Sequence, residues 1–107
     1  MSDPERIEMT DSRLAYAAVH AWGREAQIAQ VQEELAELIV ALSHFRRGRE
    51  GARGEVLVEM VDVHAMLAQV LVICGLEEEE ILARQAHARE RLAQRIVDHH
   101  QRLGGAP

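Results

Sequence analysis

Apolar residues recur at helical spacing along most of the chain. Ile28, Val31, Leu35, Leu38 and Leu42 alternate at steps of three and four, which predicts a long helix from about Arg24 to Arg47 with a packing seam along it. A shorter helix precedes it, from about Arg13 to Trp22, stopped by Gly23 and carrying Leu14, Ala17, Ala18 and Ala21 on one face. Thr10, Asp11 and Ser12 offer N-caps for it. From Gly48 to Gly54, glycines among charged residues predict a loop. A third helix is expected from about Glu55 to Cys74, closed by Gly75, and a fourth from about Glu77 to Leu103, whose opening glutamates suit the positive end of a helix dipole.

No proline lies between Pro4 and Pro107, and alanine, leucine, glutamate and arginine dominate, so nothing interrupts a helical interior. The expectation is an all-α fold: a four-helix bundle with short connections and antiparallel neighbours, forming one domain over residues 12–103 between loose ends at 1–11 and 104–107. A chain of 107 residues buries only about two-thirds of its unfolded surface, so with 48% hydrophobic residues it is expected to assemble with further copies of itself.

Charge narrows the partners. Eighteen acidic residues face twelve basic ones, all arginine, for a net charge of -6, and a nucleic-acid polymer needs clustered cations that this balance does not supply. Cys74 has no partner for a disulfide and is expected in the core, and no cationic, apolar leader is visible, which reads as cytoplasmic. The apolar run from Val63 to Leu76 is broken by His64 and Gln69, so no membrane span is expected.

Certain polar residues then stand out against this pattern. One step back from the seam of the second helix, Gln27, Gln30, Glu34 and Glu37 form a polar stripe bordering the core. In the third helix, Glu59 and Asp62 sit among Val56, Leu57, Val58, Met60, Val61 and Val63, with no obvious solvent face. An ionised carboxylate in such surroundings needs a strong partner. Carboxylates three residues apart share a helix face, with Cβ atoms about 5–6 Å apart. Two such pairs facing each other would form a cage of oxygens, the donor that Mg²⁺ or Mn²⁺ prefers, and Mg²⁺ binds commonly together with substrate phosphates. A di-iron carboxylate bundle would need Glu-x-x-His, and none of the six histidines has a glutamate three residues before it. His-Glu-x-x-His, Cys-x-x-Cys, a phosphate-binding glycine loop and a nucleophile elbow are equally lacking.

Glu33-Glu34-Leu35-Ala36-Glu37, followed after a glycine-containing loop by Glu59-Met60-Val61-Asp62, resembles the EExxE and ExxD pair of the MazG-like all-α nucleoside triphosphate pyrophosphohydrolases. Trp22-Gly23, Gln27 and Arg47-Gly48 strengthen the resemblance to small single-domain members, which covers about residues 12 to 92. It implies that Glu34, Glu37, Glu59 and Asp62 bind Mg²⁺, and that Glu33 is a further metal contact or the base orienting the attacking water. It also implies hydrolysis of a nucleoside triphosphate to the monophosphate and pyrophosphate, in nucleotide-pool sanitation, by a homodimer or homotetramer of the all-α NTP pyrophosphatase type.

The fourth helix departs from the family. Many relatives carry lysine and asparagine there for nucleotide contact, whereas this chain has Arg84, Gln85, His87 and Arg89. Arginine forks suit phosphate oxygens, so Arg84, Arg89 and Arg47 are candidate substrate contacts; Trp22 either stacks on a base or packs at the helix end, and Gln27 and Gln30 either read a base edge or hydrogen-bond within the bundle. Arg46, Arg49 and Arg53 flank the loop and either close over a triphosphate or are simply solvated. The alternative function is a non-catalytic oligomeric helical module that binds metal or nucleotide without turnover.

Overall fold

The structure is a computed structural model that describes residues 12–104. Thr10 and Asp11 as caps, and the loose ends 1–11 and 104–107 apart from Gly104, fall outside the described residues; Gly104 donates its N–H to Gln101 O at 3.0 Å. The fold is all-α: 88% of the described residues are helical and none lies in a strand. Its helices are α1 (Ser12–Trp22), α2 (Arg24–Arg46), α3 (Ala52–Cys74) and α4 (Glu78–Arg102). The chain divides after Gly75 into two compact units, one holding α1 to α3 and the other α4.

In the first unit, Gly23 joins α1 to α2 with a positive φ of 90°, a conformation that a side chain would strain. Its N–H still donates to Val19 O at 2.8 Å and its carbonyl accepts from Gln27 N–H at 3.1 Å, so the chain turns with little loss of backbone bonding. α2 and α3 run antiparallel, fixed at both ends. Arg24 at the start of α2 donates from Nη2 to Ile73 O at 2.8 Å, meeting the unsatisfied carbonyls and negative dipole end of α3. At the opposite end, His44 Nδ1 lies 2.8 Å from Glu55 Oε2. Gly75 closes α3 in the left-handed conformation, as its position predicts, with its N–H directed at Leu71 O and Val72 O.

Several sequence expectations change. α3 begins at Ala52, not near Glu55, and the loop is shorter than Gly48 to Gly54. Gly51 takes the turn with φ 79°, Gly54 is absorbed into the first helical turn, and Ala52 is anchored by burial at 2% exposure. The apolar seam of α2 is only partly covered: Val31 is buried and Leu38 half-buried, while Ile28, Leu35 and Leu42 remain exposed. On α1 the buried side begins at Ala15, with Ala18 and Val19 half-buried, while Leu14, Ala17 and Ala21 are exposed. Cys74 is exposed, not in the core. Among the described residues the core is made of Ala15, Val31, Ala41, Ala52, Ala68 and Ile73, and alanine-rich helix faces let backbones approach closely without burying much side chain.

α3 also proves more continuous than the broken Val63 to Leu76 run implied. Its 23 residues, with a mean hydropathy of 1.9 over an 18-residue window, are long and apolar enough to cross a bilayer on length and composition alone. Only 17% of that window is buried, and the helix packs against α1 and α2 with Glu59 and Asp62 in its middle.

The second unit is α4 and its flanks. Glu77 caps the helix reciprocally with Glu80: the Glu77 backbone N–H donates to Glu80 Oε2 at 3.1 Å, and the Glu77 side chain accepts from the backbone of the third helical residue. Glu78, Glu79 and Glu80 occupy the first turn and His99, His100 and Arg102 the last, complementing the dipole at both ends. The apolar side chains Leu82, Leu92, Ile96 and Val97 are exposed, and no residue of α4 is buried.

Candidate metal centre and adjoining cleft

The antiparallel pairing of α2 and α3 sets the site by register. Moving along α2 from Gln27 to Glu37 corresponds to moving back along α3 from Gln69 to Glu59 by an equal number of residues. The polar stripe of α2 therefore meets the isolated polar residues of α3 level by level. At the first level, Gln27, only 7% exposed, donates through Nε2 to Gln69 Oε1 at 2.6 Å, and Gln69 Nε2 in turn reaches Met66 Sδ at 3.5 Å. Two neutral amides satisfy one another there at no cost in charge.

Midway along the pair the partners are both acids. One carboxylate oxygen from each of Glu34, Glu59 and Asp62 lies within 4.8 Å of the others. Glu34 is oriented by Gln30, whose Nε2 donates to Glu34 Oε1 at 3.0 Å. Glu34 Oε2 and Glu59 Oε2 are buried and have no hydrogen-bond partner among the described residues. Glu37 faces Glu59 across the helix pair. That contact raises the Glu37 pKa above the ordinary carboxylate value, aided by the Glu59 charge, by desolvation, and by the charges of Glu33 and Asp62. No arginine forms an ion pair with the four acids among the described residues.

This donor set fits a hard divalent ion. It is all oxygen, it is anionic, and two of its buried oxygens are orphaned, which a cation would remedy. Glu34, Glu59 and Asp62, with Glu37 beside them, are the residues that would hold such an ion.

A cleft of about 380 Å³ adjoins the acids. Glu33, Glu37 and Glu59 border it, Ala36, Val40 and Ala41 line its apolar side, and Glu55 closes the remaining wall. The sequence reading did not single out Glu55 or His44. The His44 bond lowers the Glu55 pKa, against desolvation that raises it, with smaller contributions from the charges of His44 and Arg49. Arg49 Nη1 lies 3.0 Å from His44 Nε2 and His44 Nδ1 lies 2.8 Å from Glu55 Oε2, so the imidazole sits between the guanidinium and the carboxylate. The clue in the sequence was their placement at the two edges of the glycine loop, where an antiparallel turn brings α2's last turns beside α3's first. His64 Nδ1 is likewise buried with no hydrogen-bond partner among the described residues.

The other candidate contacts divide. Gln30 joins the acidic group through Glu34, and Glu33 borders the cleft. Gln27 is committed to Gln69 and is an internal support, not an open reader of a base. Trp22 is 68% exposed at the end of α1, and Arg47, the cap residue after α2, is also exposed; neither lines the cleft. Arg84 and Arg89 are exposed on α4. Compared with known families, curated proteins and solved structures, the chain matches none, so its functional assignment rests on the chemistry of these side chains.

Proposed function

We propose that the protein is a Mg²⁺-dependent nucleoside triphosphate pyrophosphohydrolase, of the type that its EExxE and ExxD segments resemble, acting on free nucleotides in the cytoplasm. The observation that carries this reading is the acidic group itself: four carboxylates from two helices, two of their oxygens buried and unpartnered, beside an open cleft. Maintaining mutually repelling acids without a counter-charge costs stability, and a bound divalent ion would offset that cost. Mn²⁺ suits the same oxygens.

Glu34, Glu37, Glu59 and Asp62 would hold the metal, with Gln30 fixing the orientation of Glu34. A bound Mg²⁺ supplies neutralisation of triphosphate charge and a lowered pKa for bound water. Glu33, which borders the cleft with Glu37 and Glu59, would accept the proton of the attacking water at its carboxylate or serve as a further metal contact. The carboxylates also repel an unmetallated triphosphate, which couples substrate binding to metal loading.

Assembly as a homodimer or homotetramer, built from four-helix subunits, belongs to the same proposal. No large side chain is fully buried among the described residues, and Ile39, Val40 and Phe45 on α2 and Leu57, Met60 and Val61 on α3 stand exposed. Apolar surface on this scale marks an association face.

Pyrophosphate release from a panel of standard and damaged nucleoside triphosphates, with and without Mg²⁺, tests the reading. Wild type should release pyrophosphate from at least one nucleotide, and Glu59→Gln should lose more than roughly a hundredfold in rate, since even outer-shell partners of metal ligands cost 10- to 100-fold. Metal binding with no turnover on any nucleotide would replace the hydrolase by the binding module.

A further inference from the structure

We propose that the cleft receives the nucleobase of the substrate, and that Glu55 selects bases presenting two adjacent N–H donors, as guanine does. The proposal rests on the nucleotide reading above and specifies its substrate class.

The cleft's two ends differ in chemistry. One end is bordered by Glu37 and Glu59, where phosphate would meet the metal. From there the wall becomes Ala36, Val40 and Ala41, short apolar side chains that leave a shallow surface suited to the face of a planar ring. Beyond it stands Glu55, one helical turn from Glu59 toward the start of α3. Glu55 repels phosphate, so the triphosphate is not directed to this end; an apolar wall finished by a single anion fits a heterocycle with N–H groups on its edge.

Glu55 is a fixed acceptor. His44 holds Oε2 at 2.8 Å, Arg49 holds the far nitrogen of the same imidazole at 3.0 Å, and the Glu55 side chain is still 40% exposed, leaving lone pairs open to a ligand. An ionised carboxylate accepts hydrogen bonds and donates none. Guanine offers N1–H beside its N2 amine, matching the two oxygens. Hypoxanthine lacks the amine, adenine and cytosine set a ring acceptor beside their amine, and uracil sets carbonyls on both sides of its N–H. Each of these gives one N–H to the carboxylate and leaves its second oxygen facing an acceptor or a C–H. A bidentate base contact discriminates by about ten- to a hundredfold.

The test measures binding of the α,β-methylene analogues of GTP, ITP and UTP to the full-length protein in Mg²⁺ by calorimetry. The GTP analogue should bind roughly ten times more tightly than the ITP analogue or better. Glu55→Gln, whose amide replaces an acceptor by a donor, should bring that ratio to within about twofold. His44 is a positioning residue: His44→Ala should erode the same ratio, and His44→Gln, which keeps an N–H donor, should restore part of it. Helicity measured on each variant excludes unfolding as the cause. Equal binding of the GTP and ITP analogues to wild type, or a ratio that Glu55→Gln leaves unchanged, overturns the base assignment while leaving the hydrolase reading standing. Pyrophosphate release from no nucleotide, with the GTP preference intact, overturns the hydrolase reading alone. No binding of any analogue overturns both.

Discussion

Glu37 and Glu55 line one cleft, yet their surroundings move their acidities in opposite directions. Glu55 has a donor in His44 and favours its charged form. Glu37 faces Glu59 and is pushed toward its neutral form. The same α2–α3 pairing also contains Gln27 and Gln69, which need no charge balance at all. The ends of this helix pair are therefore internally satisfied, whereas its middle is a concentration of like charge with orphaned oxygens. Glu37 and Asp62 are exposed and Glu34 and Glu59 half-buried, so the middle is a partly solvated acidic group, unlike the paired side chains at the ends.

The largest expected effect on this contrast is metal-dependent stability. If the middle of the helix pair is completed by a divalent ion, Mg²⁺ at a hundred times its dissociation constant should stabilise the protein by about 2.7 kcal/mol. In a domain of this size that is a rise in Tm of very roughly 10–20 °C, reversed by chelation. Asp62→Asn should abolish most of the rise. A melting curve unmoved by Mg²⁺ and by Mn²⁺ would remove the metal from the middle and leave the acids unexplained.

A smaller effect is expected at the neutral end. Gln69→Ala would strand the buried Gln27 amide, at a cost of about 1–3 kcal/mol measured by denaturant unfolding. The loss should be similar with and without Mg²⁺, because this pair supports the helices and holds no ligand. A loss confined to the metal-loaded protein would mean that Gln27 and Gln69 belong to the site after all.

Helical spacing is simple enough that the sequence pointed to Glu34, Glu59 and Asp62, whose carboxylates lie within 4.8 Å of one another, while Glu37 faces Glu59 beside that group. The existence of four helices was legible for a similar reason, since glycines at 23, 48, 51 and 75 interrupt otherwise helix-favouring sequence. What periodicity does not specify is what covers each face. Ile28, Leu35 and Leu42 share a stripe yet stay exposed, while the buried contacts fall to Ala15, Ala41, Ala52 and Ala68, whose small side chains decide how closely helices approach. The His44–Glu55 pair was hidden because it depends on the length of the turn between them. With α3 starting at Ala52, Glu55 already lies in the first helical turn, within reach of His44 near the end of α2.

The smallest effect separates the two glutamates by pH in metal-free protein. Glu55 has a folded pKa below its unfolded one, so its contribution to stability is present above the ordinary carboxylate pKa and is lost as pH falls through the lowered value. Glu37 has a folded pKa above its unfolded one, so the folded state is favoured by its protonation at low pH, and that contribution disappears as pH rises through the raised value. Both side chains are solvent-accessible, so the shifts in Tm should be modest, and their directions carry the test. Relative to wild type, Glu55→Gln should be least stable near neutrality and converge with wild type on acidification. Glu37→Gln should instead gain on wild type as pH rises, because the amide keeps a donor toward Glu59 after the native acid has ionised. Parallel Tm profiles for the two variants across this range would mean that both glutamates sit in equivalent surroundings, and the distinction between a compensated end and an uncompensated middle would fail.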